Sequence, residues 1–122
     1  MTQQIVTETL TITTTGEAGS ATGTASSPLI SGFLLDIYNN WHASAPASSV
    51  ATLTDENGKT IIACPATATD QGYAPRKATV DAAGAATGLY DLFPLNGSIT
   101  MTVTLSNALT GALVSTIRYL QI

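Results

Sequence analysis

The sequence predicts an all-β protein: a single-domain antiparallel β-sandwich, Ig-like or jelly-roll-like, with about 6–8 strands. Three observations predict it. Apolar residues alternate with threonine at period two in several windows. No window shows the 3.6-residue apolar recurrence of an amphipathic helix. Glycine and asparagine punctuate the chain at short intervals, as turns require. Composition points the same way: 21 of the 122 residues are threonine, a β-branched residue that favours strands. A chain of this length buries enough surface to fold without metal or disulfide staples. We expect residues 1–27 to form an N-terminal strand and a flexible Gly/Ser/Thr-rich arm of the same domain, and residues 28–122 to form the sandwich core.

Taken in order, Ile5 to Thr15 reads as a strand with Val6, Leu10 and Ile12 on one face and threonines on the other. Glu8 falls on the apolar side, which places that end near an edge. Gly16 to Ser27 is small and polar, and reads as an edge-like strand or as an extended arm. Pro28 to Asn39 is the most hydrophobic stretch and is apolar at both parities, as in a central strand with one face on the core and the other against another layer or another subunit. Asn39 to Ser49 reads as a loop carrying Trp41 and His42. Val50 to Thr54 and Lys59 to Cys64 flank Asp55-Glu56-Asn57-Gly58, whose Asn-Gly is a hairpin signal. Pro65 to Asp81 is irregular, with a short strand near Arg76 to Val80. The alanines of Ala82 to Ala86 suggest a helical turn, which Gly84 and Gly88 weaken. Ile99, Met101, Val103 and Leu105 alternate inward. Asn107 to Gly111 then turns into Ala112 to Ile122, so the last two strands are expected to form a hairpin.

The charges are few and net negative, −4, with Lys59, Arg76, Lys77 and Arg118 as the only cations. A nucleic-acid partner needs clustered Lys and Arg to meet phosphates, so none is expected. No apolar run approaches the length of a membrane helix, so no membrane association is expected. The opening Met1-Thr2-Gln3-Gln4-Ile5 lacks the basic and apolar regions of a secretory signal, and cytoplasmic synthesis is expected. Cys64 is the single cysteine, which forbids an intrachain disulfide or a cysteine zinc site. It reads as a small buried hydrophobe or, less simply, as an interchain bridge.

Catalysis is not expected. His42 is the only histidine, and no serine lies in a nucleophile motif. One histidine and one cysteine fall short of a transition-metal ligand set, and no cofactor is expected. The eight carboxylates are scattered. Asp36, inside the apolar strand, reads as an ion-pair partner of Arg118 or Arg76, or as a loop cap. Asp55 with Asn57 lacks the ligand count of a calcium loop. The aromatics Trp41, Tyr73, Tyr90 and Phe93 fall in or beside predicted loops, where they plug the sandwich ends or anchor an interface. Among small polar neighbours, Trp41 and His42 read as interface residues.

Four segments carry a resemblance. They are Ser31-Gly32-Phe33-Leu34-Leu35-Asp36-Ile37, Gly72-Tyr73-Ala74-Pro75-Arg76, Asp81-Ala82-Ala83-Gly84, and Tyr90-Asp91-Leu92-Phe93-Pro94-Leu95-Asn96-Gly97. In this order they resemble small all-β virion structural proteins of tailed bacteriophages, encoded near the major capsid protein. The resemblance runs from about Pro28 to Leu105. The chain departs from it at Ala74, where those proteins commonly carry a second aromatic before Pro-Arg. It implies a capsid decoration or cement protein on the outer surface of the head, assembled in the host cytoplasm and located in the virion. The implied partners are the major capsid protein and further copies of the chain, as a trimer or dimer. Trp41, His42, Tyr73, Pro75, Arg76, Tyr90 and Phe93 become the candidate interface. Two alternatives stand beside it: a carbohydrate- or receptor-binding module of a tail fibre or spike, and another neck or tail component. Tail-tube subunits need long hairpins, which the sequence does not announce.

Overall fold

The structure is a computed structural model that describes residues 3–122. It is all-β, with eleven strands and no helix among the described residues. The strands are β1 (Gln4–Ile12), β2 (Ala21–Ser26), β3 (Ile30–Trp41), β4 (Val50–Thr54), β5 (Thr60–Ala63), β6 (Gln71–Tyr73), β7 (Arg76–Val80), β8 (Ala86–Leu92), β9 (Pro94–Gly97), β10 (Thr100–Ser106) and β11 (Leu113–Gln121). Eleven exceeds the expected six to eight because β6, β8 and β9 lie in stretches whose alternation is too short or too polar to read.

Two antiparallel sheets form the sandwich. One runs β1-β11-β3, and β6 and β9 then share the far edge of β3. The other runs β2-β10-β4-β5. The third sheet is the isolated β7–β8 hairpin. The core lies between the two large sheets, where Ile12, Leu34, Ile37 and Leu113 of one meet Leu53 and Met101 of the other. Fully burying each such side chain is worth roughly 1.5–3 kcal/mol, so this layer dominates the stability.

Strand β1 follows the expected alternation: Leu10 and Ile12 are buried, Glu8 is half-buried, and Thr7, Thr9 and Thr11 face out. The Gly16–Ser27 segment resolves as a strand and not as a free arm. Ala21 is buried and β2 pairs with β10 over Ala21–Ser26.

Five expectations are corrected. The buried residues of strand β3 do not divide between two faces; a register shift against β11 switches its parity and turns them all inward. Asp36 faces Arg118 while Leu34 faces Tyr119, so Leu35 is the extra residue. Ile30 and Leu34 point inward before the bulge, and Ile37, Asn39 and Trp41 after it. Asn39 to Trp41 therefore belongs to the strand, not to a loop. Strands β10 and β11 do not form a hairpin, because Asn107 to Gly111 carries the chain from one sheet to the other. Leu105 points outward: it takes a positive φ of 54° at a bulge against β2, which turns Ser106 into the core in its place. There the buried Ser49 hydroxyl donates to Ser106 Oγ at 3.1 Å. Finally, Ala82 to Ala86 is no helical turn; it closes the β7–β8 hairpin.

Candidate functional site

The hairpin from Arg76 to Leu92 stands outside both sheets. It leaves the edge of the first sheet between β6 and β9, level with the Leu35 bulge of β3. That bulge frees a backbone carbonyl from the ladder. Arg76 Nη1 donates to this Leu35 carbonyl at 3.0 Å and to the Pro75 carbonyl at 2.9 Å. Leu34 N donates to the Phe93 carbonyl at 2.9 Å on the returning side. Pro75 is buried and Phe93 packs half-buried against the core, so the root of the hairpin is fixed on both arms.

The tip is built from Asp81-Ala82-Ala83-Gly84-Ala85. Asp81 Oδ1 accepts from the Ala83 and Ala85 amides, each at 2.9 Å, and Asp81 N donates to the Ala85 carbonyl. The β4–β5 turn, Asp55-Glu56-Asn57-Gly58-Lys59, repeats the arrangement: Asp55 Oδ1 accepts from Asn57 and Lys59 amides at 2.9 Å. Gly84 and Gly58 close their turns with φ of 84° and 81°, where a side chain would be strained. Because Asp55 Oδ1 already serves two backbone amides, the loop is a capped turn. The expected hairpin thus forms between β4 and β5, and the same Asp-x-x-Gly spacing closes the β7–β8 hairpin.

Along the arms, Lys77 faces Asp91, and Thr79 and Thr87 join hydroxyls. A register shift between Ala78 and Val80 leaves extra residues in β8 around Gly88. This bulge throws Leu89 and Tyr90 outward, 68% and 70% exposed, and Val80 is exposed as well. Every residue from Val80 to Asp91 is exposed. A two-stranded ribbon is marginal in water by itself, and apolar side chains on its tip gain nothing unless another surface covers them.

Of the expected interface residues, the fold brings together Tyr73, Pro75, Arg76 and Phe93 at the hairpin root and places Tyr90 on its arm. Trp41 and His42 lie apart from them, at the end of β3. Trp41 is corrected outright: it is 6% exposed within the main core, and its amide donates to Asp70 Oδ1 at 2.8 Å. The Leu35 bulge is the reason, since it turns odd-numbered positions inward beyond Asp36. His42 is exposed, but its Nδ1 accepts the Ser44 amide at 3.0 Å and thereby closes a local turn. Pro75 is likewise buried and supports the site from beneath. Val80 and Leu89 are the site residues that the sequence did not nominate.

A shallow groove of about 530 Å³ lies beside the root, bordered by Asp36, Tyr38, Tyr73 and Arg118. Arg118 Nε donates to Asp36 Oδ1 at 2.8 Å, and Nη2 engages Oδ2. The guanidinium holds the Asp36 carboxyl below its usual range against a smaller opposing effect of burial. Beneath the groove, Ser115 Oγ donates to Asn39 Oδ1 at 2.8 Å, and Asn39 Nδ2 donates to Cys64 Sγ at 3.6 Å. Burial pushes the Cys64 thiol up, partly offset by hydrogen bonds from Asn39 and Tyr73. Cys64 is therefore an enclosed, protonated thiol. Burial removes it from any interchain bridge made by the folded chain.

Among the described residues, no three His, Cys, Asp or Glu side chains converge as a metal site would require. No described helix is long and apolar enough to cross a membrane. No family model matches the chain, and no curated protein matches it.

Proposed function

We propose that this chain is a virion structural protein, a decoration or cement protein of a tailed-phage head, and that it docks on the major capsid protein through the β7–β8 hairpin. The observation that carries the reading is where the resembling segments fall. Pro75-Arg76 is the fixed root, Asp81 to Gly84 the capped tip, and Tyr90 to Gly97 the returning arm and its re-entry into the sheet. The motif thus spells out one projecting element. Its exposed Val80, Leu89 and Tyr90 supply apolar area worth about 25 cal/mol per Å² when covered, before the cost of docking. Each copy would bridge neighbouring capsid subunits, and many copies would add up to a stiffer shell. No turnover or cofactor enters this mechanism.

The hairpin also supports a second reading, a ring-forming neck or tail component. Tube subunits pair long hairpins around a ring, and the chain carries a hairpin that its sequence did not announce. The carbohydrate-binding alternative finds less support: of Trp41, Tyr73, Tyr90 and Phe93, only Tyr73 borders the groove.

Cosedimentation of the purified chain with capsids assembled without it, followed by electron cryomicroscopy, tests the proposal. Density at fixed symmetry positions with the hairpin buried against capsid protein is expected. Absence of binding to expanded capsids would overturn it and turn attention to neck and tail assemblies.

A further inference from the structure

Every exposed strand edge in a β protein offers unpaired N–H and C=O groups to any other strand, and natural chains blunt such edges. Among the described residues, every strand edge but one is shortened, interrupted, bulged or flanked by proline and charge. Strand β5 has four residues and a register shift against β4. Strand β6 has three residues, and β9 has four and opens with Pro94. Strand β7 follows Pro75 and carries Arg76 and Lys77, while β8 is bulged around Gly88. Strand β2 holds Gly23 and its ladder with β10 is broken by the Leu105 bulge.

Strand β1 is neither short, interrupted nor bulged, and the inward carboxylate of Glu8 is its one protective feature. It runs nine residues without proline or lysine and pairs with β11 in unbroken register from Gln4–Gln121 to Ile12–Leu113. Among the described residues, no strand pairs with its other side. Strand β2 approaches β1 at its C-terminal end, with Gly23 against Ile12 and Thr13 and the Thr15–Thr22 bridge beyond them. Its one charge, Glu8, is half-buried on the inner face, so the edge carries no outward charge to repel a second strand.

We propose that β1 is a self-pairing edge, on which a second copy of this chain adds its own β1 antiparallel about a two-fold axis to give one continuous sheet. The strand's chemistry selects a second copy. Its outer face reads Ile5, Thr7, Thr9, Thr11, all β-branched, and an antiparallel two-fold centred on Thr7 or Thr9 sets β-branched residues opposite one another. In either register Glu8 faces Val6 or Leu10 of the other copy, and no like charges meet. Ile5, 60% exposed at the edge, would be covered by the added strand. A self-complementary patch on a two-fold is the commonest form of oligomer.

Sedimentation of the full chain at about 0.5 mM, where a micromolar interface is saturated, tests this. Twice the 12.5 kDa chain mass is expected for the parent protein. The single-chain mass is expected for Thr7→Lys with Thr9→Lys, which sets like charges across the axis at two exposed positions. Amide exchange gives a second readout that needs no variant. Alternate β1 amides, those pointing away from β11, should slow in concentrated relative to dilute protein. A monomeric parent, a trimer, or a dimer whose β1 amides exchange alike at both concentrations would overturn the pairing. None of these results involves a capsid, so they leave the capsid-binding reading to its own assay.

Discussion

Trp41 is buried in the main core of the sandwich, and its removal belongs to the cost of core truncation. Trp41→Ala is expected to destabilise the fold by about 3–5 kcal/mol in denaturant titration. The reading of Trp41 as an interface anchor predicts instead a loss of docking with little loss of stability, and the burial reverses that order. Asp36 makes a different prediction. Its carboxyl is held low by the Arg118 guanidinium, with Arg76 adding a weaker pull. A carboxyl depressed in the folded state contributes stability above its unfolded value of about 3.9, and that contribution is lost as pH falls through the folded value. The stability difference between the parent and Arg118→Ala should therefore be full near pH 6 and vanish in strong acid. Carbon-detected titration of Asp36 should show its midpoint moving up in Arg118→Ala; an unmoved midpoint would mean that the ion pair does not persist in solution.

At the scale of the element, the hairpin is held at both ends by few contacts, so tip and root can be perturbed separately from the core. Asp81→Ala removes the acceptor of two backbone amides and should speed amide exchange across β7 and β8, with the midpoint of global unfolding nearly unchanged. Loss of the global midpoint would mean that the hairpin folds with the sandwich as one unit. Leu89→Ser with Tyr90→Ser changes exposed groups alone and should leave stability within about 0.5 kcal/mol, the usual range for surface sites. The same pair should abolish capsid docking if the proposed function holds. Arg76→Ala is expected to loosen the root, because the Leu35 carbonyl at the bulge then has only water to meet it.

Across the whole molecule, the two sheets meet closely where β2 passes β1. A Cβ at Gly23 would collide with the Thr13 carbonyl and crowd Ile12. Backbone cannot yield as a side-chain tip can, so Gly23→Ala should cost at least the ~1–3 kcal/mol typical of overpacking. Thermal melting would read this as a drop of several degrees for a domain of this size. The topology also ties the two ends of the described chain together, since β1 and β11 are neighbours over their full lengths. Trimming β1 should therefore open the first sheet at its edge, whereas trimming β11 should remove the partner of both β1 and β3.

The all-β class, the inner face of β1 at Leu10 and Ile12, and an ion-pair role for Asp36 with Arg118 or Arg76 were legible in the sequence, because each rests on period-two patterning or on the scarcity of charge. Trp41 and Leu105 were misplaced for one physical reason: a bulge inserts a residue and reverses which parity points inward, and nothing local in the sequence marks where it falls. The assignment of β10 and β11 to opposite sheets was equally hidden, since a five-residue turn joins a hairpin or a sheet crossing alike. Exposure of Val80, Leu89 and Tyr90 depended on the hairpin leaving the sheet between β6 and β9, a matter of long-range pairing to β3. Local pattern fixes which residues extend; only the packing of distant strands decides which of them water, the core or a partner will meet.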